Sequence, residues 1–173
     1  MSKKNSKKKN NTKAMLTTGG LGIGLLVLMG VFLFSGGQEK ESNQTRQAKQ
    51  SGGDLVIEKN IVGEQAVFYP YEIEGVDIEV MAIKASDGTI RTAFNTCQIC
   101  YASGRGYYEQ EGNALVCQNC RNRFTAEDVQ VAAGGCNPVP IFASNKIETE
   151  ETISISEAFL KESKDIFLNW KWE

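Results

Sequence analysis

Residues 76–97 read VDIEVMAIKASDGTIRTAFNTC, and their pattern decides how the chain folds around its cysteines. Val76, Ile78, Val80 and Ala82 alternate with Asp77, Glu79, Met81 and Ile83, a period of two that predicts a strand. Asp87-Gly88 supplies a two-residue hairpin turn, and the returning strand delivers Phe94 directly to Cys97. A second short hairpin is expected downstream, with GYYEQ (106–110) and ALVC (114–117) joined through Glu111, Gly112 and Asn113. Near the C-terminus the period becomes helical. Ile155, Phe159, Ile166 and Trp170 fall on one face, Ser154 and Glu157 stand in capping-box positions, and Glu157 and Lys161 lie four apart on the outer face. The expected fold is α+β: an N-terminal transmembrane helix, then a small β-rich domain with cysteine-bearing hairpin loops, closed by a C-terminal helix.

Working outward, the chain of 173 residues divides by composition. Residues 1–13 form a polar tail rich in lysine and asparagine, expected to be disordered in the cytoplasm. From Ala14 to Gln38 there is no charged side chain, and MLTTGGLGIGLLVLMGVFLF (15–34) has about the length that spans a bilayer as a helix. The lysine-rich flank before residues 14–34 places the N-terminus in the cytoplasm and everything after Phe34 outside, making a single-pass protein of the cell membrane. A cleaved signal peptide is the competing reading, but LFSGGQ contains no A-x-A cleavage site. Gly20 and Gly24 form a GxxxG that offers a homodimer face. Residues 35–53, polar and bracketed by glycine pairs, read as a flexible tether, leaving 54–173 as the extracytoplasmic domain.

That domain carries ten basic and nineteen acidic side chains, a net charge of -9. Nucleic acid is excluded as a partner, because phosphate binding needs a basic surface. No Ser-His-Asp constellation, phosphate-binding glycine loop or paired-carboxylate signature is present, so hydrolase and kinase chemistry are not expected.

The chemistry lies in five cysteines. Cys97, Cys100, Cys117 and Cys120 form two CxxC pairs separated by sixteen residues, a spacing that suits a tetrathiolate metal site. Structural disulfides are the alternative in an exported domain. With no histidine in the chain, mixed Cys/His zinc sites and Rieske centres are excluded, but zinc is not separated from iron. Tyr101 and Arg121 follow the two pairs where a small residue is usual. The fifth thiol, Cys136 in GGCNPVPI, could replace one of the four ligands, bind labilely, act as a redox partner, or be an inert buried cysteine. Tyr101, Tyr107, Tyr108 and Phe124 are candidates to shield a metal, with ordinary hairpin packing the equal alternative, and Arg105, Arg121 and Arg123 are candidates to offset thiolate charge.

The stretch DGTIRTAFNTCQICYASGRGYYEQEGNALVCQNCRNRF, followed by GGCNPVPI, resembles the FtrD-like family of membrane iron–sulfur-containing proteins over roughly Tyr69 to Phe142. The resemblance implies a membrane-bound component of bacterial iron uptake, with Cys97, Cys100, Cys117, Cys120 and Cys136 as ligands of an iron–sulfur cluster. Larger relatives have several membrane spans before this domain, where this chain has one candidate. No twin-arginine pair is present, so the domain would acquire its cofactor outside, which keeps mononuclear iron, and zinc as the alternative, beside a cluster.

The leading expectation is therefore a membrane-anchored, outward-facing metal-binding protein. It would assist uptake of iron or another transition metal by holding the metal or passing an electron, beside a membrane transporter or permease. Two other classes stand against it: a thiol-disulfide oxidoreductase using one CxxC pair, and a structural zinc module that presents a surface to a membrane transporter.

Overall fold

The computed structural model describes residues 44–131 and 134–172. The basic tail, the apolar segment 14–34 with its GxxxG, and the tether up to residue 43 lie outside the described residues. No helix among the described residues is long and apolar enough to cross a membrane.

Two short strands, β1 (Thr45–Arg46) and β2 (Gln50–Ser51), precede β3 (Leu55–Glu58). Three long strands follow: β4 (Val67–Ile73), β5 (Val76–Lys84) and β6 (Ile90–Cys97). Beyond the first CxxC come β7 (Tyr108–Glu111), β8 (Ala114–Cys117) and β9 (Arg123–Phe124). The chain then runs through β10 (Pro138–Pro140), β11 (Ile147–Glu148) and β12 (Thr152–Ile155) into α1 (Glu157–Glu162). The central sheet has the order β1-β4-β5-β6-β10, with β2 also on β4. Smaller sheets, β11-β12-β3 and β7-β8-β9, are separate from it.

The alternation along β5 serves two cores rather than one core and solvent. Ile78, Val80 and Ala82, with Tyr69, Tyr71 and Phe94, pack against Leu55, Ile57, Ile153, Ile155, Leu160, Phe167 and Trp170. On the opposite face Phe68, Met81, Ile83 and Ala93 pack with Cys97, Cys100, Tyr108, Leu115 and Cys117. The central sheet is thus the middle of three layers, and the thiols belong to the second core.

Several local expectations need correction. Residues 85–89 connect β5 to β6 through Ser86, Asp87 and Gly88, one residue more than the expected two-residue turn. Ala85 N–H bonds to Thr89 C=O at 2.9 Å, Gly88 N–H to Ala85 C=O at 3.0 Å, and Gly88 takes φ 83°. This three-residue loop with a left-handed glycine suits the twist of the strands. Ile155 lies on β12, not on the helix. The N-cap is Ser156, whose Oγ accepts the Phe159 N–H at 3.3 Å, so Ser154 has no capping role. The helix stops at Glu162 and a 3₁₀ turn, Lys164–Phe167, carries the chain on to Trp170. Lys161 pairs with Glu74 in the two-residue turn between β4 and β5.

Residues 44–53, expected within the flexible tether, run along the outer edge of β4. Thr45 and Arg46 pair in parallel with Val67 and Phe68, and Gln50 and Ser51 with Tyr71 and Glu72. Arg46 fastens this segment with two hydrogen bonds to the buried Glu79 carboxylate, at 2.6 and 2.9 Å. A bidentate ion pair of this kind holds a polar strand in place where apolar contacts are few.

Candidate metal centre

Two strand ends and three loops bring the thiols together. Cys97 is the last residue of β6 and Cys117 the last of β8, and both are fully buried. Cys100 follows in the tight turn after β6, also buried, whereas Cys120 is exposed and Cys136 half-buried. All five are free thiols. Their sulfurs sort into two trios, Cys97–Cys100–Cys117 and Cys100–Cys120–Cys136, each with every sulfur within 4.8 Å of the others. Cys100 belongs to both.

The backbone pins the buried positions. Cys97 N–H donates to Gly106 C=O at 2.7 Å and Cys117 N–H to Asn122 C=O at 3.0 Å. A Cβ on Gly106 would lie 2.3 Å from the Cys100 carbonyl oxygen, so the first knuckle can close only over glycine. The segment beyond that knuckle is in turn zipped to the C-terminus, with Gly104 N–H bonded to Asn169 C=O at 2.7 Å and Gly106 N–H to Trp170 C=O at 2.8 Å.

Thiolate charge is met by backbone N–H groups. Cys100 N–H points at Cys97 Sγ at 3.3 Å, and Cys120 and Asn119 N–H groups serve Cys117 in the second knuckle. Such donors favour an ionised sulfur. The Cys117 thiol also hydrogen-bonds to Cys97, so the two share one proton: Cys97 is held as thiolate far below the ordinary thiol range, and Cys117 is pushed up. Burial raises Cys100, and Cys136 is pushed up to about 12 by its contact with Cys120.

Of the residues expected to surround the cysteines, Tyr108 is placed in the site. It is fully buried against Phe124, edge-on at 5.9 Å, and its hydroxyl donates to the Cys136 carbonyl. Burial drives its hydroxyl pKa well above the ordinary value, so it remains a donor. Tyr107 turns to the other core, edge-on to Trp170 at 6.1 Å, and Tyr101 is exposed. Arg121 and Arg123 do not serve the thiolates. Both pair with Glu111, at 2.7 and 3.0 Å, because the β7–β8 turn brings that carboxylate beside them. Arg121 does occupy a left-handed conformation, φ 63°, in the place where a small residue is usual.

Sequence reasoning missed Glu79, Asn95 and Gln98. Asn95 Nδ2 donates to Glu79 Oε1 at 2.8 Å while its Oδ1 accepts Tyr108 N–H at 2.8 Å, so a buried polar chain runs from Arg46 to the tyrosine that carries the Cys136 loop. Gln98 Oε1 accepts Gly134 N–H at 2.7 Å and holds the same loop. A Glu and an Asn in otherwise apolar strand positions were the available signal.

A family model described as membrane iron–sulfur containing protein, FtrD-like, matches residues 44–167. The chain belongs to this family. The FtrD-like match extends well beyond the stretch Tyr69 to Phe142, taking in the docked segment at 44–53 and the helix α1. No curated protein and no solved structure matches the chain. The family description implies iron–sulfur, and the FtrD-like donor set fits it: in both groups found among the described residues every ligand is a cysteine sulfur, and soft thiolates suit iron, iron–sulfur clusters and zinc. The cysteine groups of this FtrD-like domain can hold a metal ion.

Proposed function

We propose that this chain is a single-pass membrane protein, anchored through residues 14–34, whose outward-facing domain holds iron on its cysteine thiolates. In this reading it assists uptake of iron or another transition metal, beside a membrane transporter or permease, by holding the metal or passing an electron to it. An iron–sulfur cluster is the first choice of cofactor and mononuclear iron the second. The observation that carries the reading is the convergence of all five cysteines into two trios within an FtrD-like domain. When bound, the iron centre supplies a one-electron couple. The chain's own residues exclude water from Cys97, Cys100 and Cys117, orient their sulfurs through backbone N–H groups, and leave Cys120 open to solvent.

Thiol-disulfide exchange is less well supported. A catalytic CxxC gains its reactivity at the start of an α-helix, whereas here the first pair leads into a 3₁₀ turn, Tyr101–Ser103, and the second into β9. The test is elemental analysis, acid-labile sulfide and EPR on protein purified anaerobically from its native membrane. Iron with sulfide is the expected result. Zinc alone would select the scaffold reading, and metal-free paired thiols would overturn the metal centre.

A further inference from the structure

Closed tetrahedral sites and iron–sulfur clusters take four thiolates, and this chain brings five to one place. They differ in how firmly they are held. Cys97, Cys100 and Cys117 are buried, and the first and last are the ends of paired strands with their own backbone N–H groups bonded. Cys120 and Cys136 sit in loops. The first is followed by Arg121 in a left-handed conformation, and the second is preceded by Gly134 and Gly135, with φ 112° and 66°. Both outer thiols lie beside the inner trio at Cys100: the sulfurs of Cys120 and Cys136 are within 4.8 Å of Cys100 and of each other.

We propose that the buried trio holds the metal or cluster permanently and that Cys120 and Cys136 exchange at the fourth ligand position. This inference rests on the metal-centre reading above. One thiol is then always free at the surface beside the bound metal. On a bound metal the exchange would be a ligand substitution with no change in redox state: the entering thiol would give up its proton as its sulfur takes the position, and the departing thiolate would take a proton. Because Cys120 is exposed and Cys136 half-buried, the exchanging position would face solvent, where a donor from a partner could approach. A partner's donor would thereby reach the bound metal while the buried trio keeps hold of it.

The test uses the full chain purified in detergent under anaerobic conditions with its native metal. Holding the metal in place, the protein is alkylated with N-ethylmaleimide, digested and mapped by mass spectrometry. The expected result is one label per chain, divided between Cys120 and Cys136, with Cys97, Cys100 and Cys117 labelled only after chelation. Cys120→Ser and Cys136→Ser should each keep full metal content and lose the single label, while the double substitution releases the metal. Label confined to one of the two cysteines, or metal loss in only one of the single variants, overturns the exchange. So does a metal-bound chain that takes no label, since all five sulfurs would then be engaged. A preparation with no metal sinks the metal-centre reading itself, and the exchange with it. If a serine variant fails to fold, as judged by circular dichroism, the wild-type label distribution still decides.

Discussion

Cys100 is the residue on which the two trios meet, and its position depends on Gly106. Any side chain at 106 runs into the Cys100 carbonyl and the Tyr101 Cα, at 2.3 and 2.7 Å from an added Cβ. Backbone atoms in a knuckle cannot move aside without moving the sulfur. Gly106→Ala is therefore expected to destabilise the domain by about 2 kcal/mol and to lower metal content at least tenfold. Gly63→Ala, where an added Cβ meets nothing within 4 Å, should leave both unchanged. Thermal unfolding and metal analysis of the two variants side by side check this. The convergence of the cysteines was legible in the spacing of the CxxC pairs, because knuckle geometry is local. The need for glycine at 106 was not, because it arises from a return of the chain against Cys100.

At the scale of elements, hairpins were easier to read than the helix. Alternation and a Gly-containing turn are local signals, and both β5–β6 and β7–β8 form with the expected strands. The helical pattern failed at its start because Ile155 is buried by pairing with Leu55, a hundred residues away in sequence. Tertiary pairing overrode a period that Ile155 happened to satisfy. Ser156→Ala should cost about 1 kcal/mol through the lost cap, while Ser154→Ala should be nearly neutral; chemical denaturation separates them. The docked N-terminal segment was illegible because its polar composition resembles a linker, and what orders it is distant in sequence: pairing with β4, the Arg46–Glu79 pair, and Lys49 against Glu72 and Asp77. Arg46→Ala strands that carboxylate, which is 3% exposed, and is expected to cost about 2 to 3 kcal/mol. Arg46→Met with Glu79→Leu should recover part of the loss, as a double-mutant cycle in urea would show.

For the whole molecule, metal and proton compete for the same sulfurs. Removing the metal with a chelator should lower the melting temperature, because binding energy at a preformed thiolate site is folding energy. Metal release should begin at progressively lower chelator concentration as pH falls. The metal-free chain has its own dependence. Cys97 and Cys117 share one proton in the folded state, through their mutual hydrogen bond. Below the ordinary thiol pKa of about 8.5, the unfolded chain holds two protons on this pair and the folded chain one, so stability rises with pH. Above it the unfolded chain holds none, and stability falls again. Melting temperatures of chelated protein should therefore pass through a maximum near pH 8.5, and Cys97→Ser should flatten it. The docking of residues 44–53 along β4 also sets a working radius. On the proposed anchoring, only nine residues, 35–43, separate the bilayer segment from the folded edge, and nine residues reach at most about 30 Å. On that anchoring, a protein that exchanged metal or electrons with the domain would have to meet it within a short tether's reach of the lipid surface.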